Sequence, residues 1–252
     1  MQKVEQLKKR FVELADKAYT QNLYTYTGFL NMMEQDIFYQ VLPLIPHVPY
    51  QLFGGEDFCE RQMIGFGSCA LFGYQGEFPI SCLHVYPVSF KYADMLAHRD
   101  FLGALLNLGI ERSTIGDIFV KNKEAYLYCQ KNMSDYIITN LDRIHHTSVK
   151  VEMVETELTN DWKPVLKSES MPVSSFRLDV VIAAVYHLSR KQSLEYLQEK
   201  KIFVNGRCIQ NPSHILQEGD LISVRGQGRF WFRKIGGETK KGKFFLTIEK
   251  YR

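Results

Sequence analysis

Between residues 3 and 20 the apolar side chains fall at Val4, Leu7, Phe11, Leu14, Ala15 and Ala18. Spacings of three and four predict an amphipathic helix. A second helical stretch over 29–42 stops where Pro43, Pro46 and Pro49 break the pattern. Short apolar runs with glycines follow at 62–66, 70–74 and 80–86, and they predict strands. The helical period returns over 98–108, with Gly109 placed to end it. Strands are predicted at 117–120 and 125–129, joined by the turn Lys121-Asn122-Lys123-Glu124. A helix over 134–143 and a strand over 148–154 complete the series. The pattern reads as an N-terminal helical region over 1–60, then an α+β sandwich over 61–155. Residues 156–173, with Pro164 and Pro172 among serines and threonines, read as a linker.

The pattern is sharper in 174–252. Leu178, Val181, Ile182, Val185 and Leu188 share one face of a predicted helix over 174–188, with Ser175 as its expected N-cap. Ser189-Arg190-Lys191-Gln192 fits a capping box and opens a second helix that runs to Lys200. Strands at 201–204 and 207–209 flank Asn205-Gly206, the preferred pair for a tight hairpin turn. Gly219-Asp220 turns into a further strand over 221–225. Beyond Gly226-Gln227-Gly228 an extended segment places Arg229, Trp231 and Arg233 on one face. Lys240-Lys241-Gly242-Lys243 then makes a basic hairpin tip before a last strand over 244–248.

Composition changes this picture little, and charge changes it a good deal. The 252 residues are 45% hydrophobic and 23% charged, with a net charge of only +3. From Arg177 to the end, 15 Lys and Arg stand against 7 Asp and Glu, a balance of +8; residues 1–176 hold 16 against 21, a balance of −5. A basic module joined to a mildly acidic one is the asymmetry of a nucleic-acid binder with a second working part. No apolar run reaches the roughly 18 residues of a membrane span, and the charged N-terminus lacks the apolar core of a signal peptide. The five cysteines show no CxxC spacing, which argues against a zinc site or a disulfide framework. A cytoplasmic chain without cofactor or metal is expected.

The candidate chemistry lies at helix starts. Arg177 stands beside the first cap of the module, and Arg190 and Lys191 open its second helix. Cations at a helix N-terminus are unfavourable by roughly 0.3–1 kcal/mol each. A phosphate would compensate, because exposed N–H groups and basic side chains then converge on one anion. Arg229 and Arg233 around Trp231 could hold an RNA backbone while the indole stacks on a base, unless the indole is core. In the middle region Tyr126 and Tyr128 alternate onto one face, where they could stack on RNA or pack against the N-terminal helices.

Five ordered pieces now carry a resemblance: Arg177-Leu178-Asp179, Ser189-Arg190-Lys191, Ile202-x-Val204-Asn205-Gly206, Pro212, and Gly219-Asp220-x-Ile222-x-Val224. They resemble the S4 domain, a small RNA-binding module. One departure is Lys200, where members often have glycine. By that resemblance Arg177, Ser189, Arg190, Lys191 and Asn205 would lie on or near the RNA-contacting surface. Neighbouring Lys201, Arg207 and Arg225, the strand cations Arg229 and Arg233, and the tip residues Lys240 and Lys241 extend the expected RNA-binding set. The whole chain is similar to the YlmH-type S4 proteins, on the segments 98–110, Ile115-Gly116-Asp117-Ile118 and Arg225-Gly226-Gln227-Gly228-Arg229-Phe230. That resemblance implies an RRM-like central domain preceding the S4 domain. It also implies association with the large ribosomal subunit carrying peptidyl-tRNA, in rescue of obstructed translation; a monomer is expected.

Enzymatic readings fare worse. His98-Arg99-Asp100 matches the start of a kinase catalytic loop, but the required asparagine five residues on is Leu105. Gly65-Phe66-Gly67 lacks the third glycine of a dinucleotide fingerprint. His84, His98, His145 and His146 have no metal spacing. Pseudouridine synthases often carry an S4 module together with a catalytic Arg-Leu-Asp, yet this chain's Arg177-Leu178-Asp179 belongs to the S4 helix itself. No catalytic residue is expected. An RNA-modifying enzyme and a protein-interaction adaptor linked to cell division are the alternatives.

Overall fold

The computed structural model describes residues 2–154, 158, 161–239 and 242–251. The chain divides into two compact units, Met1–Lys163 and Pro164–Arg252.

The first unit opens with α1 (Gln2–Gln21), whose Phe11, Leu14, Ala15 and Ala18 are buried as the apolar period requires. After β1 (Thr25–Tyr26), α2 (Met32–Val41) starts at a full capping box between Asn31 and Glu34. β2 (Tyr50–Phe53) and β3 (Met63–Phe66) then complete a small antiparallel sheet in the order β1-β3-β2. All four residues of β3 are buried, so this run belongs to the N-terminal sheet and not to the following sandwich. The run at 70–74 is a correction: it forms no strand. Cys69–Phe72 is a one-turn helix, α3, because the Ser68 hydroxyl accepts the Leu71 N–H and Gly73 closes the turn in the left-handed region. A four-residue apolar run does not distinguish strand from helix by period.

The sandwich follows as β4 (Ile80–Pro87), α4 (His98–Asn107), β5 (Ile115–Lys121), β6 (Glu124–Gln130), α5 (Ser134–Asn140), β7 (Arg143–Ile144) and β8 (Thr147–Val154). Its strands are ordered β5-β6-β4-β8-β7, every pair antiparallel. Leu83, Val85, Ala125 and Leu127 alternate onto one face and join Phe101 and Leu105 of α4 and Ile137 of α5 in one core.

In the second unit, residues expected to be linker form β9 (Leu166–Val173), which pairs with β14 (Phe244–Tyr251) along its whole length. Pro172 is compatible with this because β9 is an edge strand. The first helix is shorter than the pattern suggests: α6 spans Leu178–Tyr186, and Arg177 rather than Ser175 is its N-cap. α7 (Arg190–Gln198) begins at Ser189 with the expected capping box. β10 (Ile202–Val204), β11 (Arg207–Cys208), β12 (Leu221–Val224) and β13 (Gly228–Glu238) complete a six-stranded antiparallel sheet, β11-β10-β12-β13-β14-β9. Ile202, Val204, Ile222, Val224, Phe230, Phe232, Leu246 and Ile248 form its buried face and pack with Leu178, Val181, Ile182 and Val185 of α6. The observed class is α+β.

Candidate RNA interface

In the C-terminal unit the nominated side chains sort into two kinds, those committed to holding the fold and those still open to a ligand. Arg177 is committed. Its Nε and Nη2 donate to the two carboxylate oxygens of Asp179 at 3.0 and 2.9 Å, and Asp179 is only 4% exposed. Asn205 is committed as well. Its Nδ2 donates to Asp220 at 2.7 Å while its Oδ1 accepts the Leu221 N–H at 2.9 Å. Asn205 and Gly206 both lie at positive φ, +49° and +78°, as the tight turn requires.

The start of α7 is different. The Ser189 hydroxyl accepts the Gln192 N–H, which leaves the N–H groups of Arg190 and Lys191 facing outward. Both side chains are exposed. Lys191 reaches Glu195 only at 3.9 Å with its side chain 88% exposed, and the Arg190 guanidinium makes no hydrogen bond or ion pair among the described residues. Helix N-terminus and two exposed cations therefore stand together at this end of α7, the arrangement that suits an oxyanion.

A second basic group gathers where α7 ends. The Arg225 N–H donates to the Lys201 carbonyl at 2.8 Å, bringing two cations together. Lys201 pairs with Glu199 at 2.5 Å and lies 5.5 Å from the centre of the Tyr196 ring. Its ammonium pKa is raised chiefly by the Glu199 hydrogen bond and held back in part by Arg225. The Tyr196 hydroxyl accepts from Gln227 at 2.7 Å. Neither Tyr196 nor Gln227 was expected at the site: the turn that ends α7 sets Tyr196 beside Lys201, and the turn between β12 and β13 carries Gln227 onto the Tyr196 hydroxyl.

Across the outer face of the sheet, Arg229, Trp231 and Arg233 do share one side. Trp231 is half-buried there, opposite Leu221 and Glu249, so it is not part of the inner core. Arg233 lies 4.8 Å from the Trp231 ring and donates to Glu249 at 2.6 Å; Arg229 lies 4.5 Å from the Tyr251 ring, whose hydroxyl accepts from the indole at 3.0 Å. These cations are already partnered by aromatic faces and a carboxylate. Arg207 is exposed beside the hairpin turn, and Lys240 and Lys241 lie outside the described residues.

In the N-terminal unit the face of the five-stranded sheet opposite the helices carries His84 and Tyr126, stacked at 4.4 Å with planes 7° apart. Trp162 meets Tyr126 edge-on at 4.6 Å, and His84 contacts Glu124 at 2.8 Å. Tyr128 is 4% exposed and covered by the 55–59 segment. A β-carbon at Gly55, which has φ +109°, would lie 2.2 Å from that ring. The covering is thus a loop at the end of the N-terminal sheet, not the N-terminal helices. Burial also pushes the Cys82 thiol up to about 12, leaving it protonated beneath this layer.

Among the described residues no helix is long and apolar enough to cross a membrane, and no group of three or more His, Cys, Asp or Glu is arranged to hold a metal ion.

Residues 74–158 match the family model described as "Putative RNA-binding domain in YlmH", and residues 176–222 match the S4 domain. The chain is 30% identical over 229 residues to the Bacillus subtilis "Ribosome-associated protein quality control protein P2", covering 90% of this chain and 87% of that one. The chain belongs to the YlmH-type family of S4-domain RNA-binding proteins. The "Cell division protein ylmH from Streptococcus pneumoniae", a solved structure, is 22% identical with a TM-score of 0.48, covering 60% of this chain and 90% of that one. Within this family frame the S4 match ends at β12, so β13, β14 and β9 enlarge the module's sheet beyond the matched residues.

Proposed function

We propose that this protein is a cytoplasmic, monomeric, non-enzymatic RNA-binding protein. It docks on structured rRNA or tRNA of the large ribosomal subunit carrying peptidyl-tRNA, and it acts in the rescue of stalled translation. The observation that carries the reading is the start of α7, where open N–H groups and the exposed cations Arg190 and Lys191 occupy one helix turn. The Bacillus relative's printed association with the ribosome supports the choice of partner. Lys201 and Arg225 supply a second contact, with Arg207, Arg229, Arg233, Lys240 and Lys241 further along the basic module. Binding of this kind reads the shape and phosphates of folded RNA.

A catalytic role for the Arg-Leu-Asp sequence is disfavoured by geometry. Asp179 is buried and both its oxygens are held by Arg177, which leaves no carboxylate free to reach a substrate.

Sedimentation of cell lysate tests the proposal, with gradient fractions probed for wild type and for Arg190→Glu/Lys191→Glu. Wild type in the large-subunit peak with the variant at the top is the expected result. Wild type remaining with free protein at low salt overturns the ribosomal reading.

A further inference from the structure

A cleft of about 750 Å³ in the N-terminal unit is lined by α1, the 26–31 segment and residues 111–113. Two arginines from separate segments stand in its wall. Arg61 donates from Nε to the Ile115 carbonyl at 3.0 Å, and from Nη2 to the carbonyls of Phe29 at 2.9 Å and Arg112 at 3.0 Å. Arg112 donates from Nη1 to the carbonyls of Ile115 at 2.6 Å and Gly116 at 3.1 Å. Each guanidinium therefore spends one side on the backbone, and the shared Ile115 carbonyl ties the two side by side.

What remains is a set of open donors: Nη1 of Arg61, and the Nε and Nη2 edge of Arg112. Both residues are half-buried, yet these nitrogens are not enclosed, since Tyr186 holds the one buried unpartnered side-chain oxygen or nitrogen among the described residues. No carboxylate among the described residues stands in ion-pair contact with either guanidinium. Of the cleft carboxylates Glu34 and Glu111, Glu34 has an oxygen engaged by the Asn31 N–H at 2.8 Å as part of the α2 cap, and Asp117, which lies near both guanidinium groups, accepts the Arg61 backbone N–H at 3.3 Å. Burial, then the neighbouring Arg61, pushes the Arg112 pKa down to about 10. The attraction of Glu34 and Asp117 offsets this only in part, since both guanidinium pKa values stay lowered, and an anion in the cleft would relieve the two partly desolvated cations further.

The surroundings narrow the anion. Lys3 and Arg10 of α1 also line the cleft, so four cations face Glu34 and Glu111. Residues 1–163 as a whole hold 15 Lys and Arg against 20 Asp and Glu, a balance of −5. That field disfavours a long polyanion and tolerates a compact one. An open Nε and Nη2 edge with a second guanidinium alongside suits the several oxygens of a phosphate group, and the volume is that of a site for a small molecule.

We infer that this cleft binds a compact phosphate-bearing ligand between the open edges of Arg61 and Arg112, with Lys3 and Arg10 closing on it from α1. The phosphate of a free nucleotide and the terminal phosphate of an RNA strand offer the same head group. The site is independent of the S4 surface proposed to hold the ribosome.

The full-length protein is titrated with sodium phosphate, then AMP, then a short 5′-phosphorylated oligonucleotide, all at one ionic strength set with sodium chloride. The readouts are the Arg112 Nε–H resonance and the unfolding temperature. A saturable shift of that resonance and a rise in unfolding temperature are expected with phosphate and AMP, neither of them with chloride. Tighter binding of AMP than of the oligonucleotide assigns the site to a free nucleotide, and the reverse order assigns it to an RNA end. Lys3→Gln/Arg10→Gln, which touches only exposed side chains of α1, should weaken AMP by about two- to fivefold, the worth of exposed ion pairs. That variant should still sediment with ribosomes, so loss of the cleft and loss of the RNA surface are separable. Arg112→Lys, which lacks the two-pronged edge, should weaken AMP about tenfold or more. If that chain fails to fold, the α1 variant decides. No saturable shift in wild type, or equal affinity in wild type and the α1 variant, overturns the inference.

Discussion

Arg177 caps α6 and grips Asp179 two residues on through a two-pronged ion pair, at 3.0 and 2.9 Å, with the aspartate 4% exposed. The cation that looks from sequence like a phosphate ligand is a structural element of the helix start. Its fork satisfies a carboxylate that would otherwise be buried unpaired. Arg177→Ala should therefore lower stability by about 1–3 kcal/mol, the cost of a stranded buried acceptor. Arg177→Ala/Asp179→Ala should recover part of the loss. Urea unfolding of the two variants measures this; equal losses, or no loss in the single variant, would contradict the structural role.

The end of α7 supplies a second prediction. The Lys201 N–H bonds to the Tyr196 carbonyl at 3.0 Å and the Lys200 N–H to Leu197 at 3.2 Å, with Lys200 at φ +56°. This is a Schellman cap with a lysine where glycine is unstrained. Lys200→Gly should raise stability by up to about 1 kcal/mol, seen as a higher urea midpoint with an unchanged slope. Because Lys200 is exposed and no nominated contact depends on it, RNA affinity should fall no further than the loss of one charge requires.

Much of this fold was legible from period and punctuation. The stripes of α1 and α4, the Ser189 capping box and the Asn205-Gly206 turn each have a local cause, and each stands where the pattern placed it. What failed was decided at a distance. β9 has an ordinary loop composition and becomes a strand because β14 offers it an open edge. β3 is fully buried by partners on both sides and so joins the N-terminal sheet. At the candidate site the residue types were readable but their commitments were not. Sequence shows that Arg177, Asn205 and Arg190 are present; the partners seen in the structure, Asp179 two residues on for the first and the distant Asp220 and Leu221 for the second, separate these two from the third.

The α4 start makes stability depend on acid. Asp100 accepts the Ala97 N–H at 2.8 Å and contacts His145 at 3.0 Å, and these hydrogen bonds, the backbone one first, hold its carboxyl below the usual range. A depressed folded pKa means that the unfolded chain takes up the proton first as pH falls. The contribution is therefore complete above the unfolded value of about 3.9 and lost as pH drops through the folded value. Asp100→Asn should unfold at a lower temperature than wild type at pH 6, and the gap should close on acidification below about pH 4. A gap independent of pH would show that the carboxylate charge contributes nothing.

The sharpest division among the nominated residues is between turn and helix start. Asn205→Ala removes the side chain that joins the hairpin to Asp220 and Leu221. It should cost about 1–2 kcal/mol of stability while leaving the number of phosphates contacted unchanged. Arg190→Gln/Lys191→Gln removes two exposed cations that hold nothing in the fold beyond a 3.9 Å pairing with Glu195. It should leave unfolding nearly unaltered. If each cation neutralises one phosphate, the slope of log affinity against log salt for a structured rRNA or tRNA probe should become shallower by about 1.4–1.8. Measured across a salt series by fluorescence anisotropy, an unchanged slope in the helix variant would remove the start of α7 from the interface. An equal flattening in Asn205→Ala would instead mean that the turn itself touches RNA, despite its internal bonds.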